Sequence, residues 1–127
     1  MNLKKYYKDL LTGNAALVSK VGNNGILSAY PQEVTIFPCV IYEDSNSSDA
    51  EFSDNYSDGI SATVRIHVFT KTLKNYPTTN EIGELVHSIF RLDHWTMTMN
   101  QETNDVEDNI KHRVMDFSRK FFFSVEI

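Results

Sequence analysis

Cysteine is nearly absent from this 127-residue sequence, which contains only Cys39. A single cysteine excludes an intrachain disulfide bond and a zinc site built from several cysteines. Cys39 lies in the apolar run from Pro38 to Tyr42. Such a run favours a buried small side chain over a reactive nucleophile. The sequence therefore predicts no catalytic cysteine.

Long apolar runs are also absent. No stretch approaches the roughly 20 apolar residues that a membrane-spanning helix requires. The N-terminal segment is amphipathic and lacks the apolar core of a secretory signal. We therefore expect no association with a membrane, and we expect the protein to be made and used in a reducing cytoplasm.

Basic residues are few and unevenly placed. There are 12 lysines and arginines against 17 acidic residues, and residues 21–64 contain no lysine or arginine at all. Tight, non-specific binding to DNA needs a basic surface, so the composition argues against it. The hydrophobic content of 41% is that of a globular protein, and the length fits one domain over residues 1–127.

Two segments carry apolar residues at helical spacing. In residues 3–11 these residues recur three and four apart, and Asn14 can cap a short continuation of this helical region. The second helix, residues 78–92, opens with Thr78 and Glu81 at the spacing of a capping box.

Five further segments are predicted to be strands. In some of them apolar and polar residues alternate, and the others are short apolar runs that lie between turn residues. In the third of these, Val64, Ile66 and Val68 share one face, and in the last Arg119 interrupts an apolar face. The predicted strands are residues 26–30, 37–44, 60–70, 95–99 and 115–127.

This order of helix, three strands, helix and two strands predicts an α+β fold. The natural arrangement is an antiparallel sheet with two helices packed on one face. The opposite face of such a sheet can remain uncovered in a monomer. It carries Phe69 and Phe122 here, so we expect it to be a packing surface for another subunit.

Acidic and basic residues are segregated along the chain, and three interpretations remain open. The polar loops can simply be solvated; an acidic loop of one subunit can meet a basic strand of the next; or acidic loops can line the inner rim of a ring through which DNA passes. The residues predicted to form an interface are Glu43, Asp44, Asp49, Glu51, Asp54 and Asp58 on the acidic side, and Lys111, Arg113, Arg119 and Lys120 on the basic side.

Candidate metal ligands lack a convincing pattern. Glu84 and His87 have the spacing found in di-iron bundles, but the second pair that such a site needs is missing. His67, His94 and His112 follow no ligand spacing.

Residues 54–65 partly resemble a calcium-binding loop, with Gly59 at the required sixth position. Tyr56 stands at a ligand position, however, and Arg65 replaces the bidentate glutamate at the twelfth. No phosphate-binding loop or nucleophile elbow is present either. The sequence thus predicts no metal site, no cofactor and no enzymatic activity.

Several short motifs together resemble the tail completion, or tail-to-head joining, proteins of long-tailed siphophages, which are related to tail terminators. Residues 26–33 are similar to a strand that ends in a Tyr-Pro turn, and Phe37-Pro38-Cys39-Val40-Ile41-Tyr42-Glu43 is similar to the strand that follows it. Residues 64–71, Val106-Glu107-Asp108 and residues 111–117 resemble later parts of the same family.

The resemblance covers roughly residues 3–123, and it implies an α+β subunit of the virion that assembles into a hexameric ring. The ring would sit at the head-proximal end of the tail, between the tail tube protein and the head connector protein, and would be assembled in the host cytoplasm. Some relatives sit on the connector instead of the tail. DNA could pass through such a ring without being bound specifically.

The main alternative is a small ligand-binding or regulatory α+β module of the host. Such a module would need a concave pocket with convergent polar groups.

Overall fold

The computed structural model describes residues 2–28, 34–44, 59–103 and 109–122, and these residues form an α+β fold, as predicted. The helices are α1 (Leu3–Thr12), α2 (Ala15–Val21) and α3 (Thr79–Leu92), with a 3₁₀ turn at Asn23–Gly25. The strands are β1 (Ile26–Leu27), β2 (Cys39–Asp44), β3 (Gly59–Lys71), β4 (Thr96–Glu102) and β5 (Ile110–Phe122).

The five strands form one mixed sheet in the order β1-β2-β3-β5-β4. The pairs β2–β3, β3–β5 and β4–β5 are antiparallel, but β1 runs parallel to β2. The prediction of a purely antiparallel sheet is therefore wrong at this edge. Strand direction depends on the connecting segment, and the segment between Leu27 and Cys39 is long enough for a crossover.

The helices begin at side-chain caps, two of which were predicted. Asn14 Oδ1 accepts a hydrogen bond from the Leu17 amide at 2.9 Å, and Thr78 Oγ1 accepts one from the Glu81 amide at 3.0 Å. The first predicted helix and its continuation are consequently two separate helices, α1 and α2.

The main core lies between the three helices and one face of the sheet. Val64, Ile66 and Val68 of β3 point into it, as their alternation predicted. The helices contribute residues at helical spacing, and β2, β5 and the turn before β4 complete the core. Its largest fully buried side chains include Tyr7, Leu11, Leu17, Ile82, Phe90, Met115 and Phe117.

A smaller apolar cluster lies on the opposite face of the sheet. Phe69 is only 6% exposed and packs with Cys39 and Ile41, and the partly buried Val34 and Phe37 pack against them. Phe69 is therefore not an exposed packing surface, contrary to the prediction, because residues of the chain itself cover it. Phe122 was predicted to belong to the same packing surface, but its side chain lies outside the described part of the structure.

The last two strands differ from their predicted limits. β4 continues to Glu102, into a stretch predicted to be a turn, and a bulge lies between Met97 and Met99. β5 begins at Ile110 and pairs with β3 along its whole length. The predicted continuation of the last strand over residues 123–127 lies outside the described residues.

Candidate interaction surfaces

Arg119 interrupts the apolar face of β5 because it forms a polar junction inside the chain. Its Nη1 donates to Tyr6 Oη at 3.0 Å, to the Asp93 carbonyl at 2.7 Å and to Asp93 Oδ2 at 2.9 Å. Asp93 Oδ2 also accepts from the Tyr6 hydroxyl and, at 3.0 Å, from Trp95 Nε1. The guanidinium carbon lies 4.3 Å from the centre of the Phe121 ring. Arg119 thus connects α1, the end of α3 and β5.

The protonation of Tyr6 follows from this junction. Burial and the neighbouring carboxylate of Asp93 raise the pKa of Tyr6, although the positive charge of Arg119 opposes the shift. The hydroxyl therefore remains protonated at neutral pH and can donate to Asp93 while it accepts from Arg119.

The face of the sheet opposite the helices carries cross-strand polar pairs between β3 and β5. Arg65 forms a two-pronged ion pair with Asp116, with Nε–Oδ1 and Nη2–Oδ2 distances of 2.8 and 2.9 Å. This carboxylate raises the pKa of Arg65. The next pair along the strands joins Thr63 Oγ1 and Ser118 Oγ at 3.0 Å. These groups stabilise the β3–β5 register, because each pair forms only in this alignment.

A second polar chain crosses β2, β3 and β5 at the same face and ends at Thr103, the residue after β4. His67 Nε2 lies 2.5 Å from Glu43 Oε1, His67 Nδ1 lies 2.9 Å from His112 Nε2, and His112 Nδ1 lies 3.3 Å from Thr103 Oγ1. A carboxylate only accepts hydrogen bonds, so His67 Nε2 donates to Glu43. The direction of the bond between His67 Nδ1 and His112 Nε2 depends on the tautomers of the two rings. The buried rings also stack, with centres 5.1 Å apart.

An open cleft of about 480 Å³ lies at one end of the sheet, where β3 ends and β5 begins. Its other walls are the end of β4 and the first turn of α3. The side chains that line it are mainly polar or charged: Thr70, Lys71, Thr72, Leu73, Tyr76, Thr78, Thr79, Asn80, Glu102, Lys111 and Arg113.

A second hollow of about 560 Å³ lies at the other end of the sheet. Thr63, Thr96, Thr98 and Ser118, which carry hydroxyl groups, line it together with Lys120 and other residues. Both concavities are open to solvent and rich in hydroxyl or charged groups. Small-molecule pockets are usually enclosed and predominantly apolar.

The acidic residues predicted at an interface fall into two groups. Glu43 is held against His67, and Asp44 is exposed at the end of β2. The predicted interface residues Asp49, Glu51, Asp54 and Asp58 lie outside the described residues.

The basic residues predicted at an interface do not form one patch. Lys111 and Arg113 line the cleft at the start of β5, whereas Arg119 and Lys120 line the hollow at its other end. Nine residue steps of strand separate Lys111 from Lys120, about 30 Å. Arg113 and Arg119 bond within the chain and are partly buried, whereas Lys111 and Lys120 are exposed.

The association of Glu43, His67 and His112 was missed in the sequence. Strand alternation placed the histidines on strands, but only the β2–β3–β5 register brings them together. His94 lies elsewhere, in the hollow near Lys120. In the parts of the chain that the structure describes, no group of three or more histidine, cysteine, aspartate or glutamate residues could hold a metal ion.

Comparison with known proteins identifies a similar fold but no sequence family. No protein-family model matches the chain, and no curated protein sequence matches it. Among solved structures, the chain is similar to a chain of "Virion of native gene transfer agent (GTA) particle". The two share 15% sequence identity with a TM-score of 0.65, and the match covers 93% of this chain and 92% of the other. No α-helix among the described residues is long and apolar enough to cross a membrane.

Proposed function

We propose that this chain is a structural protein of a phage or prophage virion. The observation that carries the proposal is the similarity of fold to a chain of a gene transfer agent virion, over nearly the whole length of both chains. Because that similarity concerns the fold alone, the role itself is inferred by analogy. We place the protein in the virion, with assembly in the host cytoplasm.

We further propose that the chain forms a ring, a hexamer by analogy, at the head-proximal end of the tail. In this position it would contact further copies of itself, the tail tube protein and the head connector protein. The support is the resemblance of residues 37–43 and 64–71 to tail completion proteins. These segments belong to β2 and β3, which are adjacent in the middle of the sheet.

The proposed role is not enzymatic and requires no cofactor. Cys39, which could have been a nucleophile, is fully buried, and burial raises the pKa of its thiol to about 11. The two histidines that come together are bonded to each other and to Glu43 rather than presented in a cleft. Function would then reside in interfaces, with the predicted acidic and basic residues as candidates.

The proposal is tested by removing the gene from a phage or prophage that carries it and imaging the particles by electron microscopy. Full heads and separate tails are expected without the protein, and joined particles are expected when the gene is supplied in trans. Abnormally long tails would instead indicate a role in ending tail growth. Normal, infectious particles that lack the protein would contradict a virion role and favour a host regulatory module.

A further inference from the structure

The cleft at the end of β3 and the start of β5 has an excess of positive charge. Lys71, Lys111 and Arg113 line it, against one carboxylate, that of Glu102. Two larger side chains, Leu73 and Tyr76, form its apolar part, and Leu73 is 49% exposed. This combination suits an acidic peptide segment that also carries apolar side chains.

The single carboxylate of the cleft already has partners inside the chain. Glu102 Oε1 accepts a hydrogen bond from Thr79 Oγ1 at 2.8 Å, and Glu102 lies opposite Arg113 in the β4–β5 register. Arg113 in turn donates to Thr79 and Asn100. Lys111 is exposed and makes no ion pair with any described residue, so its charge is available to a partner.

The chain itself contains a segment of complementary composition. Residues 45–58 carry no lysine or arginine, and the aromatic residues Phe52 and Tyr56 lie among the acidic ones. Its four carboxylates belong to Asp49, Glu51, Asp54 and Asp58. We propose that this acidic segment of one copy occupies the cleft of a second copy. The inference rests on the proposed ring and identifies the contact that would build it.

Covalent reach limits what the segment can contact within its own copy. The segment is attached at Asp44, level with Val64, and at Gly59. From the level of Asp44, which is that of Val64, to the level of Lys71 is 7 residue steps along β3, and from Lys71 back to Gly59 is 12 steps. Together these 19 steps measure about 63 Å. The 15 steps of chain between Asp44 and Gly59 span at most about 54 Å. The segment therefore cannot reach the level of Lys71 in its own copy. The level of Arg113, which pairs with Val68, lies within reach at 4 and then 9 steps, about 43 Å, so occupation of the whole cleft requires a second copy.

The same geometry is compatible with the proposed ring. The acidic segment is attached at Asp44 and Gly59 and the cleft lies towards the other end of β3, so in a ring each copy would offer the segment to one neighbour and the cleft to the other. Such head-to-tail contacts are heterologous, and they close into a ring when the rotation between copies permits.

The test is cross-linking between two single-cysteine variants, Ala50→Cys in the acidic segment and Leu73→Cys in the cleft. Neither substitution removes a charge, and the buried Cys39 does not react with maleimides. Both variants are produced in one cell that assembles the particle, and purified particles are treated with a short bismaleimide. We expect an Ala50→Cys/Leu73→Cys heterodimer, identified by mass spectrometry of the linked peptides.

The matched control replaces Leu73→Cys by Thr96→Cys, an exposed position at the opposite end of the sheet. The heterodimer yield should exceed that of the control pair about tenfold, because docking raises the effective concentration of the two thiols. Equal yields from particles that contain the protein would overturn the docking while leaving the virion role intact. Particles that lack the protein altogether would overturn the virion role and the docking with it.

Discussion

Tyr7 is the least satisfied polar residue in the described core. Its ring is fully buried and packs edge-on against Trp95 and Tyr42, with ring centres 5.6 and 6.3 Å away. Its hydroxyl finds no hydrogen-bond partner among the described residues. Burial, reinforced by the charge of Asp44, raises the pKa of Tyr7 well above 10. The fold therefore requires this hydroxyl to remain neutral.

Tyr7→Phe should increase the free energy of unfolding by about 1 kcal/mol at neutral pH, because it removes a buried hydroxyl without a partner. Urea unfolding followed by circular dichroism measures the change. Tyr76→Phe, at the partly exposed rim of the cleft, is the control and should leave stability almost unchanged. A loss of stability in Tyr7→Phe would mean that the hydroxyl has a partner.

Stability should also decline in alkali. In the unfolded chain tyrosine titrates near pH 10, whereas the folded pKa of Tyr7 is higher, so the unfolded state loses its proton first. The stabilisation is complete below about pH 10 and decreases as pH rises towards the folded value, by up to about 1.4 kcal/mol per pH unit. Between about pH 8 and about pH 11, the free energy of unfolding of Tyr7→Phe should decrease less steeply with pH than that of the unaltered protein. The same pH dependence in the two proteins would show that Tyr7 does not cause the loss of stability in alkali.

Arg119 provides the positive charge of the junction at Asp93. Its side chain is 23% exposed and that of Asp93 is 29% exposed, so solvent screens the pair only partly. Arg119→Met should lower the free energy of unfolding by about 2 kcal/mol, because it leaves a largely buried carboxylate without its cation.

A double-mutant cycle with Asp93→Asn separates this pair from other effects of each substitution. The loss in the double variant should be smaller than the sum of the two single losses. Strictly additive losses would show that the two side chains do not stabilise each other.

At the scale of elements, the split of the first helical region depends on Asn14. Asn14→Ala removes the cap of α2 and should lower the free energy of unfolding by about 1 kcal/mol. Ser19→Ala, an exposed position in the same helix, is the control and should be close to neutral. Thermal unfolding of both variants checks the difference. Equal stabilities would show that the α2 start does not depend on this side chain.

The elements that could be predicted are those with a clear period. α1, α3, β3 and the body of β5 follow from helical spacing or alternation in the sequence, and β2 follows from its short apolar run. β1 pairs over only two residues, Ile26 and Leu27, which is too short for a pattern that would indicate its direction. β4 extends through Asn100 to Glu102, because pairing with β5 outweighs the turn preference of polar residues.

At the scale of the whole molecule, folding and assembly should be separable. Deletion of residues 49–57, which the sequence predicts to be part of a polar loop, should change the free energy of unfolding by less than about 1 kcal/mol, because such loops contribute little to stability. Incorporation into particles should be lost, because the deletion removes three of the four carboxylates of residues 45–58. Calorimetry measures the first effect, and quantitative mass spectrometry of purified particles measures the second.

A full-length variant shows whether incorporation depends on the carboxylates or on the length of this segment. It carries Asp49→Asn, Glu51→Gln, Asp54→Asn and Asp58→Asn, and it should show the same loss of incorporation as the deletion. Normal incorporation of this variant would mean that the carboxylates do not mediate assembly. If the deletion variant is also incorporated normally, the segment contributes to no interface that assembly requires.

The sequence alone determined the α+β class, most of the helices and strands, and which residues of β3 face the helices, because these depend on local spacing and on the alternation of side chains along a strand. It also determined the separation of acidic from basic segments. Only the tertiary structure decided that Glu43, His67 and His112 meet, that Arg119 bonds to Asp93, and that Lys111 and Lys120 lie at opposite ends of the sheet. These outcomes depend on strand order and register, which join residues that are distant in the chain.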